Sequence, residues 1–372
     1  MVIGIEAAHA NKSNRTGVEE YCFQIIQEFK TIIPAGVRVI LYSNEPLRNG
    51  LEIMPGNWEV KVLRWPFKKL WSQTRLAWEL LFHPLDIFFA PSQLIPFVAY
   101  PKTVAMIHDS AFAVCPGVYR FWGRQYLRLM NWLIIKKTAR LITSSSFNKT
   151  ELEKLYGRSA AEKTAVIPLG FDRRRFCSGA VLESEALAKN YGLSKPFIMT
   201  TGRLEAKKNT RRLVEAFDLV KKQHDIQLVL VGKPGFGYEA VSEAIKQSPH
   251  KKDIIILGYV PGEFLALLVG SAEIFVFPSA YEGFGIPVLE AMAAGAPVVA
   301  SRVGPLPEVA GSSARYFDPS DAADLARAIN ALLENNSERE KLRSLGYERA
   351  SLFSWEKTAA ATWAEIVKVS KS

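Results

Sequence analysis

Short apolar runs and amphipathic stretches alternate along this chain, and the alternation runs through it twice. No other feature constrains the fold as tightly. Strand–helix repetition of this kind packs as a parallel sheet with helices on both faces. In the first half the periodicity predicts strands over Val2–Ala7, Val37–Tyr42, Trp58–Leu63, Asp86–Ala90, Thr103–His108, Arg140–Ser144 and Thr164–Ile167. Between them it predicts helices over Gly17–Lys30, Trp71–Phe82, Arg120–Lys137 and Ser146–Tyr156, the last with a serine cap. The polar, irregular stretch Asp172–Ser194 reads as a linker. A second set of strands follows over Phe197–Thr201, Gln227–Val231, Ile254–Leu257, Glu273–Phe277 and Pro297–Ala300. Helices fall over Thr210–Lys222, Tyr238–Gln247, Gly262–Ser271 and Pro287–Ala294, then over Asp321–Glu334, Glu338–Phe353 and Trp355–Val369. The expected class is α/β, with two Rossmann-like doubly wound domains, 1–172 and 173–353, facing a cleft, and a helical segment 354–372. Clefts between domains are favoured ligand sites.

Length and composition fit this reading. A chain of 372 residues with 48% hydrophobic and 23% charged residues can build two ordinary cores. No apolar run reaches the roughly 20 residues that span a bilayer. Cys22, Cys115 and Cys177 are scattered, with neither metal spacing nor a disulfide framework, which suits a reducing cytoplasm. The net charge of +10 is uneven: residues 1–172 hold 21 Lys/Arg against 14 Asp/Glu, and six of the eight tryptophans. Such a half suggests an anionic partner. No helix-turn-helix, RNP or zinc-finger pattern points to nucleic acid.

The most specific chemistry lies in Ser279-Ala-Tyr-Glu-Gly-Phe-Gly-Ile-Pro-Val-Leu-Glu290, where Glu282 and Glu290 stand eight positions apart at a strand-to-helix junction. The carboxyl edge of a parallel sheet is where open α/β folds bind ligands. Gly283 and Gly285 allow close backbone approach beside Phe284, and the new helix offers unpaired N–H groups. A carboxylate at Glu290 can accept from two neighbouring hydroxyls, as in a ribose diol. A plain turn with a solvated Glu290 has the same spacing. Earlier, Thr201-Gly-Arg-Leu-Glu-Ala-Lys-Lys-Asn209 follows one strand and precedes a helix. Arg203 and Lys208 suit phosphate oxygens, although a basic helix start is also an ordinary solvated surface. His108 ends another strand, and Gly17 opens the first helix after Asn14-Arg15-Thr16.

These residues resemble the Glu-x7-Glu signature and basic loop of glycosyltransferase family 4, retaining enzymes of GT-B fold, over essentially the whole chain. The resemblance implies that Glu282 lies near the donor sugar and that Glu290 binds the nucleotide ribose. It implies phosphate roles for Arg203 and Lys208 and a donor-sugar contact for His108. It also implies a phosphate contact at Gly17, a base contact at Tyr259 and Val260, and an anionic acceptor held by Arg15. In the family the final helix crosses back to the first domain. The implied partners are a nucleotide diphosphate sugar donor, preferably GDP-mannose and otherwise a UDP-sugar, and a glycan or lipid-linked acceptor. No Asp-x-Asp occurs in the sequence, so a metal-independent site with no cofactor is expected. A sugar-nucleotide epimerase and a non-catalytic sugar-nucleotide sensor are the other classes considered.

One further pattern is interfacial. Trp65-Pro-Phe-Lys-Lys-Leu-Trp71, Arg75, Trp78, Tyr119-Arg-Phe-Trp122 and Arg124 mix basic and aromatic residues. Such a surface suits an anionic membrane, placing the chain as peripheral on the inner face of the cytoplasmic membrane. The same aromatics also suit a core.

Overall fold

A computed structural model describes residues 1–13, 15–67, 70–97, 102–115, 117, 121–176 and 191–371. Asn14, Lys68, Lys69, Tyr119, Arg120, Cys177 and most of the expected linker lie outside the described residues. The chain forms two compact units. Unit 1 comprises Met1–Val114, Tyr119–Gly170 and Trp355–Ser372, and unit 2 comprises Cys115–Val118 and Phe171–Ser354.

Unit 1 is built on seven strands: β1 Val2–Glu6, β2 Arg38–Ser43, β3 Trp58–Val62, β4 Ile87–Ala90, β5 Thr103–Ile107, β6 Arg140–Thr143 and β7 Thr164–Val166. They lie parallel in the order β3-β2-β1-β4-β5-β6-β7. β4 and β5 are buried at every position, as expected of strands covered on both faces. The Gly17–Ile32 helix starts with a capping box, in which the Thr16 N–H donates to Glu19 Oε2 at 2.8 Å. The Trp355–Lys371 helix packs on this helix and on β4, β5 and β6. Glu365 accepts from Arg140 Nε at 2.6 Å, and the Thr358 hydroxyl donates to the Pro168 carbonyl at 2.8 Å.

One local expectation is corrected in unit 1, and the serine cap is identified. The Trp71–Phe82 segment is not one regular helix: Ser72–Leu76 is a π-turn, closed by the Leu76 N–H on the Trp71 carbonyl at 3.1 Å, and the α-helix runs over Ala77–Phe82. The serine that caps Ser146–Tyr156 is Ser145, whose hydroxyl accepts from the Asn148 N–H at 3.1 Å.

Unit 2 holds β8 Phe197–Thr201, β9 Gln227–Val231, β10 Ile254–Gly258, β11 Ile274–Phe277, β12 Val298–Ser301 and β13 Ala314–Phe317. These are parallel in the order β10-β9-β8-β11-β12-β13. One face of the sheet is sealed by Leu213, Phe217, Leu325 and Ile329, all fully buried beside Ile198, Leu228 and Val276. In both units the order in which successive strands are added to the sheet reverses beside a central strand, between β1 and β4 and between β8 and β11. An open α/β sheet forms its ligand crevice at such a switch point, beyond the carboxyl ends of the two strands.

Candidate functional site

The switch point of unit 2 brings the two expected motifs together. The loop after β8 carries Arg203 and Lys208, and the loop after β11 carries Glu282. Lys208 Nζ lies 2.5 Å from Glu282 Oε1. The loops are also joined through backbone, the Ala280 N–H donating to the Lys207 carbonyl at 2.9 Å. Both lysines lie over aromatic rings: Lys207 Nζ is 5.4 Å from the Tyr281 centroid and Lys208 Nζ 5.1 Å from that of Phe277. Arg203 is different. Its side chain is 62% exposed and its carboxylate neighbour, Glu205, is 3.9 Å away, so most of its fork of donors faces solvent.

The third loop, after β9, fixes the basic loop in place. The Gly202 N–H donates to the Val231 carbonyl at 2.9 Å, the Leu204 N–H to Lys233 at 3.0 Å, and the Gly235 N–H to Leu204 at 2.9 Å. This lacing needs glycine at 232, where φ is +149° and an added Cβ would sit 1.8 Å from the Gly202 carbonyl oxygen. Lys233, which follows Gly232 and was not singled out from the sequence, has its Nζ 5.5 Å from the Tyr259 ring, adding a cation to the same edge. Ser279, which opens the motif after β11, is fully buried, and its hydroxyl has no hydrogen-bond partner among the described residues.

The remaining donor-site candidates divide by burial. Tyr259 is 67% exposed at the end of β10, while Val260 is buried. Phe284 is buried edge-on against Phe353, so its ring belongs to the core and only its backbone is available. Gly283 is partly exposed. Gly285 starts the Ile286–Ala293 helix at φ +104°, and a Cβ there would lie 2.5 Å from Leu306 Cδ2. Glu290 is half-buried in the second turn of that helix. Glu308 is exposed in the first turn of the Leu306–Ala310 helix. This set of positive groups around one carboxylate can bind a diphosphate and stabilise charge as it leaves.

In unit 1 the candidates are held differently. His108 is buried after β5, with Nε2 donating to the Pro91 carbonyl at 2.8 Å and its N–H donating to Gln93 Oε1 at 2.9 Å. Burial lowers its pKa to about 4, so the ring is neutral at physiological pH. Gly17 is exposed and a Cβ there would meet nothing. Arg15 is folded onto its own helix, with Nε 2.7 Å from Glu20 Oε2 and its guanidinium 3.8 Å over the Phe23 ring.

The aromatic-basic surface is partly core and partly outward. Trp71 is half-buried, with Nε1 donating to the Leu63 carbonyl at 2.7 Å, and so does not share an outer face with Trp78, which is 63% exposed. The outward residues continue along the Phe121–Lys137 helix as Trp122, Tyr126, Leu129 and Trp132, a stripe at helical spacing. No acidic residue occurs between Asp109 and Glu151, while seven Lys/Arg do. Among the described residues no helix is long and apolar enough to cross a membrane, and no cluster of three metal-ligating side chains occurs.

Comparisons with known proteins bear on the family and the fold. The family model for glycosyl transferases group 1 matches residues 184–349, and that for Glycosyltransferase Family 4 matches residues 15–175. The chain is 29% identical to the O-antigen chain mannosyltransferase B of Escherichia coli, over 79% of this chain and 77% of that protein. It is 31% identical to the MMP alpha-(1->4)-mannosyltransferase of Mycolicibacterium hassiacum, over 65% of this chain and 59% of the relative. Among solved structures, Anabaena HepE in complex with UDP-glucose superposes with a TM-score of 0.78 at 20% identity, covering 99% of this chain and 100% of that one. That likeness shows the fold, two parallel-sheet Rossmann-like domains of GT-B type.

Proposed function

The chain belongs to glycosyltransferase family 4, and on that premise we propose that it is a retaining hexosyltransferase that moves mannose from GDP-mannose to a glycan or lipid-linked acceptor. The observation that carries the donor site is the Lys208–Glu282 pair beside exposed Arg203, on the loops of the two strands that flank the switch point. Positive side chains there take the place that a divalent ion has in metal-dependent enzymes, so the reaction needs no resident metal. Glu282 faces the sugar and Glu290 the ribose. Tyr259 and the backbone at Val260 meet the base. The sugar and phosphate roles expected of His108 and Gly17 fall to residues of unit 1. The choice of mannose rests on the two mannosyltransferase relatives. Lipid-linked acceptors fit the exposed Trp122–Trp132 stripe and the acid-free basic run around it, which suit the surface of an anionic membrane.

Calorimetric titration with GDP, UDP, GDP-mannose and UDP-glucose tests the donor. GDP-mannose is expected to bind most tightly, and tighter binding of UDP-glucose would move the assignment to a UDP-sugar enzyme. Incubation with donor alone separates the other classes: an isomerised sugar nucleotide would identify an epimerase, and binding without turnover over a panel of mannosides and glucosides would identify a sensor.

A further inference from the structure

The edge of unit 1, away from its switch point, carries a recess that the donor site does not use. β3 is the outermost strand of that sheet, two places from β1. Beside it Trp65, Thr74, Arg75, Trp78, Glu79 and His83 line a recess of about 600 Å³, inside the roughly 300–1,000 Å³ range of small-molecule sites. The backbone there is specially shaped. Leu70 adopts φ +65°, a left-handed conformation that a leucine keeps only where its surroundings hold it. The Ser72–Leu76 π-turn follows, and such turns recur at functional sites. Thr74 and Arg75 belong to this turn, and the Thr74 hydroxyl donates to the Leu70 carbonyl at 2.7 Å.

The floor of the recess is an ion cluster. Glu79 is buried at 5% exposure. Its Oε1 accepts from Lys61 Nζ, on β3, at 2.9 Å and lies 3.1 Å from His83 Nδ1. Its Oε2 accepts from Arg75 Nη1 at 3.2 Å. Burial alone would raise the pKa of the Glu79 carboxyl, but the Lys61 and Arg75 cations outweigh it and hold the group below its ordinary range. The walls are aromatic. Trp78 is 63% exposed and braced by Phe82, with ring centroids 4.8 Å apart. Trp65 is braced edge-on by Phe67 at 5.4 Å. Each brace fixes a flat indole face before a ligand arrives, which lowers the ordering cost of binding.

This combination selects one class of ligand. A quaternary ammonium suits aromatic walls, but Lys61 and Arg75 on the floor repel it. A phosphate suits cations, but here it meets the Glu79 carboxylate that those cations already neutralise. A lipid surface leaves the buried Glu79 cluster without a role. A sugar ring meets every part: its C–H face lies on an indole, while its hydroxyls donate to Glu79 and accept from Arg75 and His83. We propose that the recess is a second glycan site, which holds a neutral pyranose unit of the chain being extended, away from the point of transfer. This rests on the glycosyltransferase reading. A chain held there keeps its growing end at a high effective concentration for the next transfer, with no added contact at the reacting centre.

Two measurements decide it. In the first, the tryptophan indole N–H signals of the full chain are followed by NMR and assigned with Trp65→Phe and Trp78→Phe. Mannopentaose or maltopentaose at millimolar concentration should shift the Trp65 and Trp78 signals saturably, and GDP should leave them in place. Trp78→Ala should weaken the response of Trp65 about tenfold, the scale of one aromatic platform, while Trp78→Phe, which keeps a ring, should retain most of it. Indifference of both signals to both oligosaccharides would overturn the proposal. So would shifts caused by phosphatidylglycerol vesicles alone, which would make the recess a membrane contact. In the second, GDP release from GDP-mannose is measured with mannopentaose and with methyl α-mannoside. Trp78→Ala should raise KM for the pentaose about tenfold with kcat kept, and leave KM for the short mannoside where it was. An equal change for both acceptors, or for neither, would also overturn it. If the wild type turns over no donor with any acceptor, the glycosyltransferase reading fails by itself, and the NMR titration still decides whether the recess holds a sugar.

Discussion

Lys208 and Glu282 are 74 residues apart in the chain and 2.5 Å apart in space. The carboxylate side chain is 9% exposed and the ammonium 22%, so the pair is largely withdrawn from water. Breaking such a pair from one side leaves a buried charge, which costs more than the pair contributes. Each single change should therefore do more than remove a ligand contact. Lys208→Ala should weaken GDP binding, and Glu282→Gln should mainly lower kcat. The double variant should lose less than the sum of the two, by about 0.5–3 kcal/mol of coupling. Titration of GDP and steady-state kinetics on all four proteins check this. Additive losses would mean that the pair acts as two independent groups.

Arg203 should behave as a ligand contact only, because its side chain is mostly in solvent. Arg203→Ala is expected to weaken GDP and UDP binding by about 1.5–3 kcal/mol with little change in folding stability. Since side chains rather than an ion are assigned to the diphosphate, excess EDTA should leave turnover intact. Loss of activity in EDTA, restored by magnesium or manganese, would refute the metal-free assignment.

Gly232 is a structural requirement of the same site. An added Cβ would lie 1.8 Å from the Gly202 carbonyl oxygen, a backbone atom that cannot rotate away. Gly232→Ala should destabilise the protein by at least about 1–3 kcal/mol, as overpacking does, and should abolish nucleotide binding. Urea denaturation and GDP titration read the two effects. A stable variant with normal GDP affinity would show that the loop has another conformation.

His108 gives a pH dependence with a definite sign. Its folded pKa, about 4, lies below the ordinary value of 6.5 because burial disfavours the charged form. The unfolded chain therefore binds the proton first. Stability is full above pH 6.5 and is lost as pH falls toward 4, by roughly 3 kcal/mol at most from this one group. His108→Gln should flatten that slope, measured by denaturant midpoints at pH 7.5, 6, 5 and 4. An unchanged slope would place the acid sensitivity elsewhere.

Membrane association is tested on the Phe121–Lys137 helix. Trp122 and Trp132 are 81% and 49% exposed, and Arg124 and Arg128 lie between them. Vesicles of anionic lipid should pull down the wild type at low salt, with less binding at high salt, since exposed charges are screened beyond about 8 Å at physiological ionic strength. Trp122→Ser/Trp132→Ser should reduce binding severalfold with unchanged GDP affinity. Equal sedimentation of both proteins would leave the stripe without a membrane role.

Much of this architecture is legible in the residues. Parallel strands buried on both faces read as continuous apolar runs, so Phe275, Val276 and Phe277 marked β11 without ambiguity. β13 escaped because it is an edge strand, Ala-Arg-Tyr-Phe, whose Arg315 and Tyr316 are half-exposed and break the apolar run. The π-turn at Ser72–Leu76 escaped because one extra residue in a turn leaves no trace in composition. The site was readable motif by motif. That Lys208 meets Glu282 was not, because the contact depends on β8 and β11 being neighbours, which only the strand order reveals.

The Trp355–Lys371 helix completes the packing of a unit whose other residues end at Gly170. Emergence from the ribosome therefore imposes an order on the molecule. While unit 2 is being synthesised, unit 1 waits with the surface around Phe29 and β4–β6 still uncovered, and Trp363 later closes edge-on against Phe29. Unit 2 is contiguous from Phe171 to Ser354 apart from the short Cys115–Val118 segment, so it can settle first. During that interval the nascent chain presents an unfinished apolar face, the kind of surface on which incomplete chains associate, and which the final, covered form does not show.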